Sequence, residues 1–135
     1  MSSPVILIYS DDQSVRASLV SALGSRIAAD LPAHTIVEFA TGPALRAYVD
    51  GKNPVSLFIL DGEAVPEGGM GIARQLKDEV YNCPPVLLIT GRVEDGWLAS
   101  WSRAEDALSH PIDPFVVAHK AGQLLRSRLA LSDLA

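Results

Sequence analysis

The sequence predicts a single α/β domain in which parallel strands alternate five times with helices in a doubly wound sheet. Short apolar runs recur along the chain, and several are apolar on both alternating faces, as in strands buried between two layers of helices. Segments with apolar residues at helical spacing lie between these runs. The length of 135 residues is typical of one domain with one core. We therefore expect residues 1–135 to form one domain without an additional output domain.

The first half of the chain predicts two strand–helix units. Pro4–Tyr9 is apolar throughout and predicts a buried strand. The polar residues Ser10–Asp12 can cap the helix that follows, and Gly24 is expected to interrupt or end this helix. Its apolar residues at helical spacing are Val15, Leu19, Val20, Leu23 and Ile27. Thr35–Phe39 predicts a second short strand, and Ala44–Val49 a second helix.

The second half predicts three more units. Val55–Leu60 is the strongest strand candidate, almost entirely apolar, and should lie at the centre of the sheet. The glycines between Gly62 and Gly71 predict a loop that excludes helix. The remaining predicted elements are, in order, a helix through Ile72 and Leu76, a strand at Val86–Thr90, a short helix at Glu94–Trp101, a strand at Ala107–Ser109 and a last helix at Phe115–Leu131.

Composition narrows the classes of function. The formal net charge of −5 opposes a general nucleic-acid surface, because phosphate backbones are bound by clustered Lys and Arg. Apolar runs of this length are too short to span a bilayer, and the N-terminus lacks the features of a secretory signal, so we expect no membrane partner and a cytoplasmic location. The single cysteine, Cys83, excludes an internal disulfide and suits a reducing compartment.

Polar residues follow three of the predicted strands at their carboxyl ends. They are Ser10–Asp12, Asp61 and Thr90. In doubly wound sheets, ligands bind at this edge, where the strand order reverses. Carboxylates that meet there repel one another, so they must keep a proton or gather cations, and hard oxygen ligands with room for water suit Mg²⁺. A carboxylate at a strand end can also accept a phosphoryl group as an aspartyl phosphate.

In the order and spacing of these residues, nearly the whole chain resembles the receiver domains of two-component response regulators, such as the small stand-alone chemotaxis regulator. The segment Ala104–Pro111 is similar to the family's Ala-x-Asp-Tyr-Leu-x-Lys-Pro. The resemblance implies a flavodoxin-like fold with strand order 2-1-3-4-5. It places Asp61 at the phosphoacceptor and Thr90 at the hydroxyl that follows the phosphoryl group.

The same resemblance implies a magnesium site. It places Ser10 and Asp11 at the family's acidic pair, and it assigns the metal to Asp11, Asp61 and the backbone carbonyl of Glu63. Ser10 replaces the first acid of the pair, so we expect Mg²⁺ to bind more weakly. Asp12, one residue along, is a candidate to compensate.

Two further departures affect charge and signal relay. His110 stands where the family has a lysine that pairs with the acceptor, and an imidazole is only fractionally protonated near neutrality and reaches less far. Ala107 stands where the family has an aromatic residue that turns inward with the threonine. We therefore expect the usual relay of phosphorylation to the outer face to be absent.

Two charges should flank the pocket. Glu63 lies two residues beyond Asp61, and Arg92 lies two residues beyond Thr90. We hypothesise that Glu63 and Arg92 pair across the mouth of the pocket, or that Arg92 supplies part of the charge of the missing lysine. The alternative is a pair of solvated charges that contributes under about 1 kcal/mol. His34 and His119 have no metal-binding spacing and are interpreted as surface residues.

Trp97 and Trp101 are four residues apart and share a helix face. In the family, the fourth helix, fifth strand and last helix form the output and dimer face, so exposed indoles would mark a partner surface, including a homodimer. Alternatively, one indole fills the volume beside Ala107. We expect at least one of the two to be packed.

The sequence therefore predicts an atypical single-domain response regulator, a signalling module rather than an enzyme, that acts by protein contact. Asp61 would either accept a phosphoryl group from a histidine kinase or remain unmodified, and the missing lysine and aromatic residue favour the second mechanism. A flavodoxin-like cofactor binder is an alternative, but the acidic Ser10–Asp12 segment would repel a flavin phosphate. A Mg²⁺-dependent aspartate phosphatase would need a second, suitably placed acid and a cap over the pocket.

Overall fold

A five-stranded parallel sheet with helices on both faces forms the molecule. The computed structural model describes residues 3–92 and 97–134. The strands are β1 (Val5–Tyr9), β2 (Thr35–Phe39), β3 (Leu57–Asp61), β4 (Val86–Thr90) and β5 (Asp106–Ser109). The helices are α1 (Gln13–Leu23), α2 (Gly42–Asp50), α3 (Gly69–Glu79), α4 (Trp97–Ser102) and α5 (Pro114–Leu134). The strand order β2-β1-β3-β4-β5 confirms the doubly wound fold and the expected order.

The register of the strands brings their carboxyl ends level. Tyr9 lies beside Leu60, and Asp61 lies beside Ile89. All pairs are parallel, so the residues that follow β1, β3, β4 and β5 emerge at one edge of the sheet. This edge is called the carboxyl edge below, and the other the amino edge.

Alternation along the strands divides the core into two apolar layers. One layer lies on the α1 and α5 side of the sheet and includes Ile6, Ile8, Leu19, Leu23, Leu57, Ile59, Leu87, Ile89, Val117 and Ala121. The other includes Leu7, Tyr9, Leu45, Phe58, Leu60, Ile72, Ala73, Leu76, Val86 and Leu88. β1, β3 and β4 are buried on both faces, which explains why their sequences are apolar runs without polar alternation.

The helix boundaries agree with local capping chemistry. Asp12 caps α1, since its side chain accepts from the Ser14 amide, and Gly24 ends the helix with φ 59°. Thr41 caps α2 in the same way, so α2 begins at Gly42, two residues earlier than the sequence predicts. α5 begins at Pro114, where proline needs no hydrogen-bond acceptor for an amide.

The predicted loop at Gly62–Gly71 is wrong at its end, because α3 already begins at Gly69. A Cβ on Gly69 would lie 2.8 Å from the Asp61 carbonyl oxygen, so this glycine permits the helix to approach the end of β3. Close packing therefore overrides the low helix propensity of glycine.

Other boundaries also differ from the prediction, by one residue at the starts of β1, β5 and α5 and by more in the following cases. β3 begins at Leu57 and includes Asp61, whereas the sequence placed it at Val55–Leu60. α5 runs to Leu134. The predicted helix at Glu94–Trp101 is present from Trp97 to Ser102, and residues 93–96 lie outside the described part. Within the described ranges, no helix has both the length and the apolar character needed to cross a membrane.

Candidate functional site

Asp61 lies at the centre of the carboxyl edge and is almost completely buried, with 3% of its surface exposed. Its Oδ2 accepts a hydrogen bond of 2.8 Å from the Ser10 hydroxyl, and its Oδ1 accepts one of 2.9 Å from the Glu63 amide. His110 Nε2 lies 3.5 Å from Oδ1. The structure therefore brings together Ser10, Asp61 and His110, as the sequence predicted, from the ends of β1, β3 and β5.

Ser10 is fixed from several sides. It is fully buried, and its hydroxyl oxygen also accepts from the Asp12 amide at 3.1 Å. Arg16 Nη1 donates to the Ser10 carbonyl at 2.7 Å, and Arg16 Nε forms an ion pair of 3.3 Å with Glu38. The supporting role of Arg16 was not predicted, although its position one turn inside α1 was a usable signal.

The two aspartates after Ser10 point to different partners. Asp11 Oδ1 accepts from the Val65 amide at 3.1 Å and so contacts the β3–α3 loop. Asp12 is exposed, and its Oδ1 accepts from both the amide and the hydroxyl of Ser14, which lowers the pKa of Asp12. Asp12 therefore serves as the cap of α1, and its suggested compensating role in metal binding has no support in this arrangement.

The donor set at this edge fits Mg²⁺ only with help from backbone and water. Among residues 3–92 and 97–134, no three His, Cys, Asp or Glu side chains are arranged to hold a metal ion. Asp11 and Asp61 supply the nearby carboxylates, and a carbonyl such as that of Glu63 would have to complete the set. Mg²⁺ commonly uses one or two carboxylates and keeps several waters, so these residues fit a weak site.

Thr90 ends β4 and is buried beside this pocket, with its hydroxyl directed at backbone. Thr90 Oγ1 donates to the Arg92 carbonyl at 3.1 Å. The Glu63 carboxylate covers Gly91 so closely that a Cβ there would lie 1.9 Å from Glu63 Oε1. Glu63 thus lies next to Arg92 along the rim, and their direct pairing stays a prediction.

The three lysines of the chain all lie towards the amino edge. Lys77 Nζ contacts the Pro84 carbonyl and Glu105, ahead of β4 and β5. Lys120 pairs with Asp106, the first residue of β5, at 3.0 Å, and Lys52 follows the end of α2, ahead of β3. The described ammonium groups are therefore at the opposite edge from Asp61.

The loop between β3 and α3 is held by a cluster that the sequence did not reveal. The Tyr9 hydroxyl donates to the Glu67 carbonyl at 2.6 Å, and Arg46 forms a two-pronged ion pair with the Glu67 carboxylate. Burial raises the pKa of Tyr9, and the hydrogen bonds from Arg46 lower the pKa of Glu67. A tyrosine at the end of an otherwise apolar strand was the available signal, because a buried phenol needs a partner.

Both tryptophans of α4 are exposed, Trp97 at 67% and Trp101 at 47%. The expectation that one indole fills the volume beside Ala107 is therefore wrong. Ala107 packs partly buried against the core layer, while Trp101 lies against the Arg74 guanidinium, 4.9 Å from the ring centroid. The indoles are thus free to contribute to a surface.

The two remaining histidines differ from each other. His119 is exposed, as expected. His34 is partly buried, with both ring nitrogens withdrawn from solvent, so its interpretation as a surface residue is wrong. Burial lowers the pKa of His34.

Comparisons with known proteins agree with this geometry. No model of a known protein family matches the chain. An uncharacterized response regulatory protein of Mycobacterium tuberculosis strain H37Rv is 54% identical over 122 residues, covering 90% of this chain and 91% of the relative.

Two solved structures share the fold at low identity. The signal receiver domain of a candidate LuxO repressor protein from Vibrio parahaemolyticus has a TM-score of 0.79 at 20% identity and covers 98% of this chain and 97% of its own. A CheY-like receiver domain protein from Methanospirillum hungatei JF-1 has a TM-score of 0.76 at 17% identity, covering 96% of this chain and 98% of its own. Because the relative from Mycobacterium tuberculosis is 54% identical over 90% of this chain, the chain belongs to the response-regulator receiver family, whose members are signalling modules of two-component systems.

Proposed function

We propose that this receiver is atypical and acts by protein contact, with weakened or absent dependence on phosphorylation. Asp61 is the equivalent of the phosphoacceptor. The observation that carries the proposal is the set of partners around the Asp61 carboxylate. Both of its oxygens already accept hydrogen bonds, from the Ser10 hydroxyl and the Glu63 amide, and its nearest ring donor is an imidazole.

Such a carboxylate is stable without a metal or a phosphoryl group. A buried carboxylate costs little when its oxygens are hydrogen-bonded, whereas a cluster of carboxylates needs cations. Replacing an acid by Ser10 removes one negative charge and adds a donor at the same place. The pocket therefore keeps its geometry in the absence of Mg²⁺, which favours a constitutive rather than a switched conformation.

The positions of the cationic groups support the same conclusion. Phosphorylation would replace the one negative charge of the Asp61 carboxylate with about two on the phosphoryl group near pH 7. The lysines lie at the opposite edge, so His110 and Arg92 would have to provide the compensating charge. His110 can do so only when protonated, and Arg92 is exposed to solvent. An acyl phosphate at Asp61 would consequently be weakly stabilised.

Signal relay from the pocket would also be reduced. The Thr90 hydroxyl donates to the Arg92 carbonyl, and Ala107 has no ring that could follow a movement of Thr90. Elsewhere in the family, the threonine moves and the aromatic residue turns inward with it. Here Thr90 is present, but the aromatic residue that would follow it is missing. A partner would then recognise the surface of the chain in its resting state.

Magnesium has a limited place in this proposal. Asp11, Asp61 and the Glu63 carbonyl would hold the ion, which would neutralise charge on phosphoryl oxygens. Asp11 Oδ1 already accepts from the Val65 amide, so Asp11 would ligate the metal through Oδ2. The loss of an acid at Ser10 would weaken the affinity.

Intact-mass measurement after incubation with Mg²⁺ and a small acyl phosphodonor tests the proposal, with Asp61→Asn as the control. We expect no adduct, or one that forms slowly and decays quickly. A stable, near-stoichiometric phosphoryl adduct that is lost in Asp61→Asn would contradict the proposal and would indicate conventional phosphotransfer from a histidine kinase.

A further inference from the structure

A shallow groove runs between α4 and the start of α3, on the side of α4 that faces α3. Its volume is about 470 Å³, and its walls are Pro66, Glu67, Gly68, Met70, Gly71, Trp97 and Trp101. The walls are mostly apolar, and the carboxylate among them, Glu67, is already paired with Arg46. The groove has room for a few side chains of a partner and not for a folded domain.

One cation borders this groove without a carboxylate partner. Within residues 3–92 and 97–134, Arg74 contacts the Trp101 ring and donates to the Trp101 carbonyl at 2.7 Å, and no acid pairs with it. Its neighbours differ, because Lys77 pairs with Glu105, and Arg103 pairs with Asp78. Arg74 is exposed, in a chain with a net charge of −5. Its guanidinium therefore retains donors for an incoming anion.

We infer that this groove, bounded by Arg74, Trp97 and Trp101 and called the indole groove below, binds a partner segment that is apolar on one face and carries a carboxylate. The apolar side chains would cover Met70 and Trp97, and the carboxylate would pair with the Arg74 guanidinium. The inference rests on the proposed function, since it names the contact through which the receiver would act. It differs from a surface on α5, because the indoles face α3.

The chemistry of the groove favours this partner. Trp and Arg are the side chains that most often dominate binding energy in interfaces. A guanidinium already held flat on an indole loses little further freedom when it binds a carboxylate. A cationic partner would instead leave Arg74 facing a like charge.

Gly71 gives this inference a test that separates binding from folding. A Cβ at Gly71 would meet no atom within 4 Å, although the residue lies in α3 and lines the groove. Gly71→Leu should therefore fold at least as well as the natural chain, because leucine has the higher helix propensity. The added side chain would nevertheless occupy the groove.

Intrinsic fluorescence provides the readout, since the two tryptophans of the chain both lie in the indole groove. The probe is a synthetic amphipathic peptide with leucines at helical spacing and glutamates beside them. The matched control peptide carries lysines in place of the glutamates. We expect a saturable change in emission with the glutamate peptide. The Kd of the lysine peptide should be about fivefold higher or more.

The variants assign the binding to named residues. Arg74→Gln should weaken binding of the glutamate peptide by about fivefold. Gly71→Leu should abolish binding of this peptide and should retain the circular dichroism spectrum of the folded chain. Arg103→Gln, a paired arginine on the same face, and Phe115→Ala, an exposed aromatic on α5, should leave binding unchanged. Equal binding of both peptides, or full binding by Gly71→Leu, would overturn the inference.

Two further measurements separate this inference from other outcomes. Sedimentation equilibrium that detects a dimer dissociated by Gly71→Leu would identify a second copy of the chain as the occupant and overturn the inference. Binding of the glutamate peptide should be the same for Asp61→Asn. If binding instead requires a phosphoryl group on Asp61, the groove assignment stands and the proposed independence of phosphorylation fails.

Discussion

The Asp61 pocket and the indole groove lie on the same molecule and differ in how their polar groups are satisfied. In the pocket, a buried carboxylate accepts from Ser10 and Glu63 and lies beside His110. In the indole groove, two indoles are exposed, and Arg74 contacts the Trp101 ring and carbonyl and forms no ion pair with an acid of residues 3–92 and 97–134. The pocket is internally complete, whereas the groove retains capacity for binding. The proposed interaction surface is therefore separate from the site that the family uses for chemistry.

Substitutions in the pocket and in the groove should affect different quantities, the free energy of unfolding and the binding of a partner. Disturbing the pocket exposes or crowds a buried charge, so it should reduce the free energy of unfolding. Disturbing the groove removes contacts that a partner would make, so it should reduce binding and leave folding nearly unchanged.

Ser10→Asp should have the largest effect on stability. It places a second carboxylate against Asp61 Oδ2, where the hydroxyl now donates, and should lower the free energy of unfolding by about 3 kcal/mol without metal. Mg²⁺ should restore much of this loss, because the acidic pair would be complete. Urea unfolding with and without Mg²⁺ measures both effects, and a variant that is indifferent to Mg²⁺ would show that the edge does not form a metal site.

Ser10→Ala should have a smaller effect of the same sign. It removes the donor to Asp61 Oδ2 and leaves that oxygen unsatisfied in a pocket with 3% of the aspartate exposed. We expect a loss of about 1–3 kcal/mol in the free energy of unfolding. Ser18→Ala, on the exposed side of α1, is the matched control. Equal stability of the two variants would argue against the hydrogen bond as the stabiliser of the pocket.

Glu67→Gln tests the loop that lies between the two regions. It weakens the ion pair between residue 67 and Arg46. The side chains of Arg46 and Glu67 are 31% and 36% exposed, so the free energy of unfolding should fall by only about 0.5 kcal/mol. The Tyr9 hydroxyl should still bind the residue 67 carbonyl, because that bond uses backbone. Chemical denaturation measures the loss, and a decrease above about 2 kcal/mol would mean that the loop depends on the charge much more than a half-exposed pair allows.

Between pH 7.5 and about 5, above the range in which the carboxylates titrate, the pH dependence of stability should come mainly from His34, which lies outside both regions. Burial lowers its pKa below the ordinary 6.5, so the unfolded chain binds a proton at a higher pH than the folded chain does. His34 should therefore leave stability constant above about pH 6.5 and reduce it as the pH falls below that value. Denaturation midpoints at pH 5 and 7.5 should converge in His34→Gln and not in His119→Gln. An unchanged acid loss in His34→Gln would contradict this assignment.

The sequence predicted the alternation of strands and helices because that pattern is local, whereas the strand order and the places of Ser10 and His110 in the pocket came from the resemblance to receiver domains. The apolar runs of β1, β3 and β4 and the residues that follow them are continuous in sequence. The boundaries of α3 were missed because the fit of Gly69 against the Asp61 carbonyl is a tertiary contact that propensity does not contain. The interaction of Arg46 with Glu67 likewise joins residues 21 positions apart.

The orientation of side chains was the least predictable feature of the site. The acidic run after β1 suggested a shared role for Asp11 and Asp12, but the start of α1 takes Asp12 as its cap. The spacing of Trp97 and Trp101 showed that they share a face without showing which neighbour that face meets. Arg74 could not be linked to them, because its contact depends on how α3 and α4 pack.

The central proposal is that Ser10 and His110 weaken the capacity of Asp61 to hold a phosphoryl group, and one comparison tests it directly. The natural chain and a Ser10→Asp/His110→Lys double variant are incubated with Mg²⁺ and the same acyl phosphodonor, and phosphoryl occupancy is followed by intact mass. We expect the double variant to accumulate an adduct that a further Asp61→Asn change removes, while the natural chain stays largely unmodified. Equal accumulation in the two chains would contradict the claim.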